Sequence, residues 1–230
     1  MAGENDKRLS PLSGLAEGSL LVSEIFASIQ GESTYAGQPC TFVRTACCNL
    51  RCRYCDTTYA FAAGEPMGLN DIVARVTALA WPLVEVTGGE PLVQKATPAL
   101  LSRLCDAGLN VLLETSGSID VAAVDPRVVK IVDLKTPSSG EQRANRWANL
   151  ELLSTRDELK LVIADRRDYE WAREEVRRRR LHERCTVLFG PVFGELAADD
   201  LAGWILEDGL PVRLQLQLHK IIWGAERRGV

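Results

Sequence analysis

Apolar and polar positions alternate along "LLVSEIFASIQ" (20–30) and again along "TFVRTA" (41–46), the period-two pattern of half-buried strands. The stretch Tyr35-Ala36-Gly37 between them marks a turn. A helix is expected over "GLNDIVARVTALAW", where Ile72, Val73, Val76 and Leu79 recur at helical spacing and Asn70 or Asp71 can cap the start. Short apolar runs follow: "LVEVT" (83–87), "NVLLET" (110–115), "KIVDLK" (130–135), "ELKLVI" (158–163), "TVLFGPV" (186–192) and "VRLQLQL" (212–218). Between them, 97–108, 168–181 and 196–209 read as outer helices, and the polar segment 137–150 as loop with a short helix. Strand, helix, strand repetition predicts an α/β fold with a mostly parallel sheet.

About six or seven βα repeats fall short of a closed eight-stranded barrel, so an incomplete, open βα barrel or a doubly wound sheet is expected. Residues 1–19 read as a flexible N-terminal extension and residues 20–230 as a single domain. Either architecture puts its chemistry at the C-terminal strand ends. The cysteine loop after "TFVRTA" falls there, as do "TGGEP", "ETSGS" and "DLKTP".

Composition narrows the classes. With 230 residues, 46% of them hydrophobic, the chain can bury a sizeable core. Its net charge is −4 and its basic residues are dispersed apart from Arg177 to Arg180, so no nucleic-acid partner is expected. "MAGENDKRLSPLSGLAEGS" has no apolar signal core and no apolar run reaches ~18 residues, so no membrane span and a cytoplasmic location are expected. In a reducing compartment, closely spaced cysteines point to metal or redox chemistry rather than disulfides.

Four of the seven cysteines fall between Cys47 and Cys55, three of them as Cys48-x3-Cys52-x2-Cys55. A structural zinc normally takes four protein ligands, often from two Cys-x2-Cys pairs, and no second pair is present. Cys40, Cys105 and Cys185 stand alone and read as small buried hydrophobes; His182 and His219 are distant in sequence. Three thiolates on one loop suit a 4Fe-4S cluster with one iron open to a reacting ligand. Cys47-x4-Cys52 is a competing ligation.

With Tyr54 ahead of its last cysteine, the C-x3-C-x2-C loop resembles the signature of the radical S-adenosylmethionine superfamily, and "GGEP" (88–91) resembles its glycine-rich cofactor-binding segment. "EIFASIQGES", "FVRTACCNLRCRYCDT", "VTGGEPL", "LLETSGS" and "LQLHKIIWG" are together similar to the 7-carboxy-7-deazaguanine synthase family, a resemblance running from residue 22 to about 224.

The resemblance implies a carbon–nitrogen lyase of queuosine and deazapurine biosynthesis. Its substrate would be 6-carboxy-5,6,7,8-tetrahydropterin, contracted to 7-carboxy-7-deazaguanine with loss of ammonia. The implied cofactors are a 4Fe-4S cluster on Cys48, Cys52 and Cys55, S-adenosylmethionine, and Mg2+ at Thr57. Tyr54, Cys55, Asp56, Gly88, Gly89, Glu90, Asp133, Leu134 and Lys135 match the segments around S-adenosylmethionine. Ile29, Gln30, Gly31, Arg44, Thr87 and His219 match the pterin side, with Arg44 suited to the substrate carboxylate. A flavodoxin or ferredoxin donor and a homodimer are implied as well.

Residue by residue, plainer readings stand beside these: Arg44 as a surface ion pair, Thr57 as a loop cap, His219 as a structural histidine at a strand end. The rival functions are a glycyl-radical enzyme activase and a non-catalytic zinc or iron–sulfur module. The chain departs from the family at Cys47, where glycine is usual, and at Ser116, where asparagine is common. The N-terminal extension and the tail "AERRGV" fall outside the family core.

Overall fold

The expected hairpin forms from β1 (Ser19–Ile29) and β2 (Pro39–Thr45), antiparallel with Phe26 opposite Phe42 and Ile29 opposite Pro39. A computed structural model describes residues 7–230. β3 (Glu65–Gly68) pairs antiparallel with the start of β1. Six further strands, β4 (Leu83–Gly88), β5 (Asn110–Thr115), β6 (Val129–Asp133), β7 (Glu158–Ile163), β8 (Thr186–Pro191) and β9 (Arg213–Leu214), continue from β2 in parallel. The sheet order is β3-β1-β2-β4-β5-β6-β7-β8-β9, with β3 and β9 at the two open edges.

Helices cover one face. α1 (Leu69–Ala78) and α2 (Thr97–Asp106) bury Ile72, Val76, Leu100, Leu101 and Leu104 against Val43, Val84, Val86, Val111 and Leu113. α3 (Arg166–Arg179) and α4 (Ala198–Glu207) do the same with Tyr169, Val176, Leu201 and Ile205 against Leu159, Leu161, Ile163 and Phe189. On the opposite face Cys40, Phe42, Leu83, Leu112, Val129 and Ile131 pack together, near the N-terminal ends of the parallel strands. Successive side chains of a strand point to opposite faces. That alternation sends Glu85 and Thr87, Glu114, Asp133, and Lys160 inward over this apolar floor.

Several expectations change. Among the described residues the sheet has nine strands, not six or seven, because β3 and the two-residue β9 add edges too short to show a period. "VRLQLQL" is strand only at Arg213–Leu214; the chain then leaves the sheet, and α5 (Leu218–Trp223) starts at the residue before His219. His219 therefore sits in a helical first turn and not at a strand end. The cap of α1 is the Gly68 backbone, with Asp71 in the first turn. Segment 137–150 forms three 3-10 turns, beginning at Pro137, Gln142 and Trp147.

The expected flexible extension divides. Residues 1–6 lie outside the described residues. Over 7–18 the expectation is corrected, since Leu9, Leu12 and Leu15 pack against Leu21, Ala46 and Cys47 and Arg8 donates to the Asn49 carbonyl at 2.8 Å. Apolar side chains at three-residue spacing give this segment something to bury.

Candidate active site

The cysteine loop leaves the end of β2 and is held from three sides. Cys47 takes a left-handed backbone conformation, φ +70°; its N–H donates to the Ala60 carbonyl and its carbonyl accepts from Glu90 N, both at 2.8 Å. Arg53 N donates to the Ser139 carbonyl at 2.9 Å and Arg51 N to the Glu141 carboxylate at 2.6 Å. The Arg51 guanidinium returns to the Cys48 carbonyl at 2.8 Å and lies 4.1 Å over the Phe61 ring.

Gly88 and Gly89, where β4 ends, let the second loop pass against the first. A Cβ on Gly89 would stand 2.0 Å from the Cys47 carbonyl oxygen, and one on Gly88 2.2 Å from that of Thr45. Only glycine permits this approach.

Cys48, Cys52 and Cys55 all open onto one cavity of about 700 Å³, and none forms a disulfide. Cys47 does not line it: its side chain is fully buried in the apolar cluster with Leu21 and Ala46. Burial pushes the Cys48 thiol up to about 12 and raises Cys52 and Cys55 as well.

Among the described residues no group of three or more His, Cys, Asp or Glu side chains converges to hold one metal ion. A 4Fe-4S cluster makes a different demand, because each thiolate binds its own iron. Three soft donors on one cavity wall fit that group. Asp133 fits a donor-rich ligand: its Oδ2 pairs with Lys135 at 2.7 Å while its buried Oδ1 has no partner among the described residues. Burial opposes the charge on Lys135, yet Asp133 holds the ammonium well above its ordinary value.

The expected pterin-side residues gather along the same cavity. Ile29, Gln30, Gly31, Arg44, Thr87 and His219 all line it. Arg44 donates from Nε to Glu24 at 2.8 Å and is sandwiched between Phe26 and Tyr59, so it is no surface ion pair. Gly31 lies directly against the His219 ring: an added Cβ would be 2.2 Å from Nδ1. Burial draws this imidazole below its ordinary value, against the pull of Glu32. Thr57 precedes the 3-10 turn Thr58–Phe61 without capping it; its hydroxyl donates to Asp56, which pairs with Lys220 of α5.

Two expected residues stand apart. Glu90 is fully buried and absent from the cavity wall; its carboxylate accepts from Leu92 N, the Thr115 hydroxyl and Ser116 N at 2.9, 2.8 and 2.6 Å. Leu134 packs in the core cluster with Tyr169 and Val176 of α3 and does not line the cavity. Neither side chain lines the cavity: Glu90 caps the 3-10 turn Pro91–Val93 and Leu134 packs in the core, and the expectation of a cofactor-facing side chain is corrected at both.

Sequence reasoning also passed over a charged floor. Lys160 pairs with Glu32 at 3.0 Å and with Glu114, which accepts from the Thr87 hydroxyl at 2.8 Å. Gln215 and Gln217 donate to Glu32 at 3.0 and 2.8 Å, and Gln30 donates from its side chain to Glu85. Burial opposes the charge on Lys160, but Glu114 and Glu32 hold it well above its usual value. Burial, with Glu114 beside it, raises Glu85 well above the usual carboxylate range. The signal was available: charges at alternate positions inside otherwise apolar runs, as in "LVEVT" and "ELKLVI", mark strands whose inner face is not core.

Comparisons with known proteins bear on the family and the fold. The chain matches the Radical SAM superfamily over residues 42–178, a span carrying the three cysteines, both glycines and Asp133. It is 52% identical over 217 residues to the 7-carboxy-7-deazaguanine synthase of Chlorobaculum tepidum, covering 93% of this chain and 99% of the relative. It is 47% identical over 224 residues to the enzyme of that name from Koribacter versatilis, covering 91% and 99%. The fold is shared with the crystal structure of QueE from Escherichia coli: TM-score 0.71, 22% identity, 91% of this chain and 98% of that one. An open, mostly parallel sheet with a three-thiol cavity wall, and such likeness over nearly its whole length, make the chain a member of the 7-carboxy-7-deazaguanine synthase family within the radical S-adenosylmethionine superfamily.

Proposed function

We propose that this enzyme contracts 6-carboxy-5,6,7,8-tetrahydropterin to 7-carboxy-7-deazaguanine with release of ammonia, a step of deazapurine and queuosine biosynthesis. The observation that carries the reading is a shared cavity: the three thiols and the carboxylate-binding candidate Arg44 open onto the same space of about 700 Å³. When bound, the 4Fe-4S cluster and S-adenosylmethionine supply the radical that opens the ring chemistry.

The chain's own residues bind, orient and exclude water. Cys48, Cys52 and Cys55 are the cluster thiolates of this reading. The Asp133 Oδ1, unpartnered among the described residues, is an acceptor for hydroxyl or amino hydrogens of S-adenosylmethionine, and Gly88 and Gly89 line the same cavity. Arg44 receives the substrate carboxylate on its terminal nitrogens. Gln30, Thr87, Glu32 and Glu114 offer the donors and acceptors that a pterin edge requires, and neutral His219 closes the site over Gly31.

Thr57 is the proposed protein oxygen for Mg2+, whose remaining ligands come from water or substrate. Flavodoxin or ferredoxin is the proposed electron donor and a homodimer the proposed assembly. The cytoplasm, which keeps such thiols reduced, is the proposed location. Among the described residues no helix is long and apolar enough to cross a membrane.

The test is anaerobic reconstitution with iron and sulfide, reduction, and incubation with S-adenosylmethionine, Mg2+ and the carboxytetrahydropterin. The expected result is 7-carboxy-7-deazaguanine by mass spectrometry. A cluster-loaded protein that cleaves S-adenosylmethionine yet forms no deazaguanine overturns the proposal.

A further inference from the structure

The tail "AERRGV" is absent from the expected family core, yet residues 225–230 all line the cavity. Within it the Arg228 guanidinium lies 4.2 Å from the centroid of the Tyr59 ring, within cation–π reach. The Tyr59 hydroxyl donates to Glu24 Oε1 at 2.8 Å. Arg44 Nε donates to the same oxygen, also at 2.8 Å. Four residues from four parts of the chain thus form one contact series that ends at the carboxylate-binding candidate.

We propose that Arg228 is a positioning residue for substrate-carboxylate recognition, acting through Tyr59 and Glu24 on Arg44. The inference rests on the reading of Arg44 given above.

The reason is competition between carboxylates. A guanidinium has five N–H donors, and Arg44 spends only Nε on protein among the described residues. Glu24 is itself a carboxylate and can rotate to take the terminal nitrogens as a bidentate fork, which closes the receptor to substrate. The Tyr59 hydroxyl occupies Glu24 Oε1 and favours the one-point contact. The Tyr59 ring is held on one side by the Arg44 guanidinium, 6.0 Å from its centroid, and at its hydroxyl by Glu24. The cation of Arg228, 4.2 Å from the same centroid, adds a further restraint that keeps the Arg44 fork presented to the cavity.

The experiment is a set of full-length, cluster-reconstituted variants assayed with the carboxytetrahydropterin. Iron content and substrate-free cleavage of S-adenosylmethionine serve as readouts of an intact cluster site. Arg228→Ala is expected to raise KM roughly threefold to tenfold with kcat within about twofold, leaving both readouts unchanged. Arg228→Lys, which keeps a cation, is expected to restore most of the KM. In a Tyr59→Phe background, where the hydroxyl link to Glu24 is already gone, Arg228→Ala is expected to add little.

An unchanged KM for Arg228→Ala, or a full multiplicative effect in Tyr59→Phe, overturns the inference. Arg44→Lys separates the two readings. If it raises KM while Arg228→Ala does not, only the role of the tail fails; if Arg44→Lys leaves KM unaltered, the assignment of Arg44 to the carboxylate fails.

Discussion

Cys47 and Cys48 are chain neighbours with opposite surroundings: one thiol is sealed among Leu21, Ala46 and the N-terminal leucines, the other opens onto the cavity. Alanine at Cys48, Cys52 or Cys55 is therefore expected to abolish the brown iron–sulfur absorption of anaerobically reconstituted protein, while alanine at Cys47 retains iron and sulfide. Cys47→Gly has two opposed effects. It relieves a left-handed backbone that costs a side-chain-bearing residue ~1 kcal/mol, and it removes buried apolar contact of about the same size. Net stability in a denaturant titration is expected within about 1 kcal/mol of wild type.

Glu85 titrates in the opposite sense to a salt-bridged carboxylate. In the folded chain its carboxyl is held well above the ordinary glutamate value of 4.5, with burial as the main cause and Glu114 second. Above pH 4.5 the unfolded chain releases this proton while the folded chain keeps it, so Glu85 lowers stability as pH rises toward the folded value. Glu85→Gln keeps the shape and can still accept from Gln30. Its thermal midpoint is expected to match wild type near pH 4 and exceed it at pH 8; equal midpoints at both values contradict a protonated Glu85.

At the scale of elements, the site depends on how closely the loops after β2 and β4 approach. Glu90 bridges them, its backbone N–H on Cys47 and its side chain on Thr115 and Ser116 at the end of β5. Gly89→Ala would drive a Cβ into the Cys47 backbone and to 3.1 Å from the Cys48 Cβ. Backbone cannot yield as a flexible side chain can, so the loops must separate. The expected outcome is a loss of roughly 2 kcal/mol or more in urea unfolding, together with weak or absent cluster incorporation. Gly203→Ala, in α4 with open space at its Cβ position, is the matched control and is expected to be neutral or stabilising.

On the scale of the whole molecule, the N-terminal segment is part of the support for the cysteine loop. Leu9, Leu12 and Leu15 cover Cys47 and Ala46 from outside the sheet. Replacing all three partly buried leucines with serine is expected to lower the unfolding free energy by roughly 1 kcal/mol or more in total and to make Cys47 reactive toward a thiol reagent under native conditions. Retained protection of Cys47 would show that the segment does not shield it.

Much of this architecture was legible beforehand. The alternation over 20–30 and 41–46 and the apolar runs from 83 to 192 mark the strands of the main sheet, and Ile72 and Val76 mark a helix face. β3 was not legible, because "EPMG" has one buried residue in four and exists as a strand only through pairing with Ser19–Val22. "VRLQLQL" shows strand alternation but lies where the chain departs the sheet toward Gly31, whose carbonyl accepts from Leu218 N at 2.9 Å.

The sequence by itself determined what contiguous residues carry: strand and helix periods, the order of the βα units, the thiol spacing of Cys48, Cys52 and Cys55, and the paired glycines. These are local properties, and local sterics and burial patterns act over a few residues. The tertiary structure alone decided which charges face the cavity, that Glu90 and Leu134 turn away from it, and that Cys47 is sealed outside it. It alone brought Arg228 over Tyr59 and joined Glu24 to Arg44, because such meetings depend on sheet register and the path of the returning tail, which no short window of residues contains.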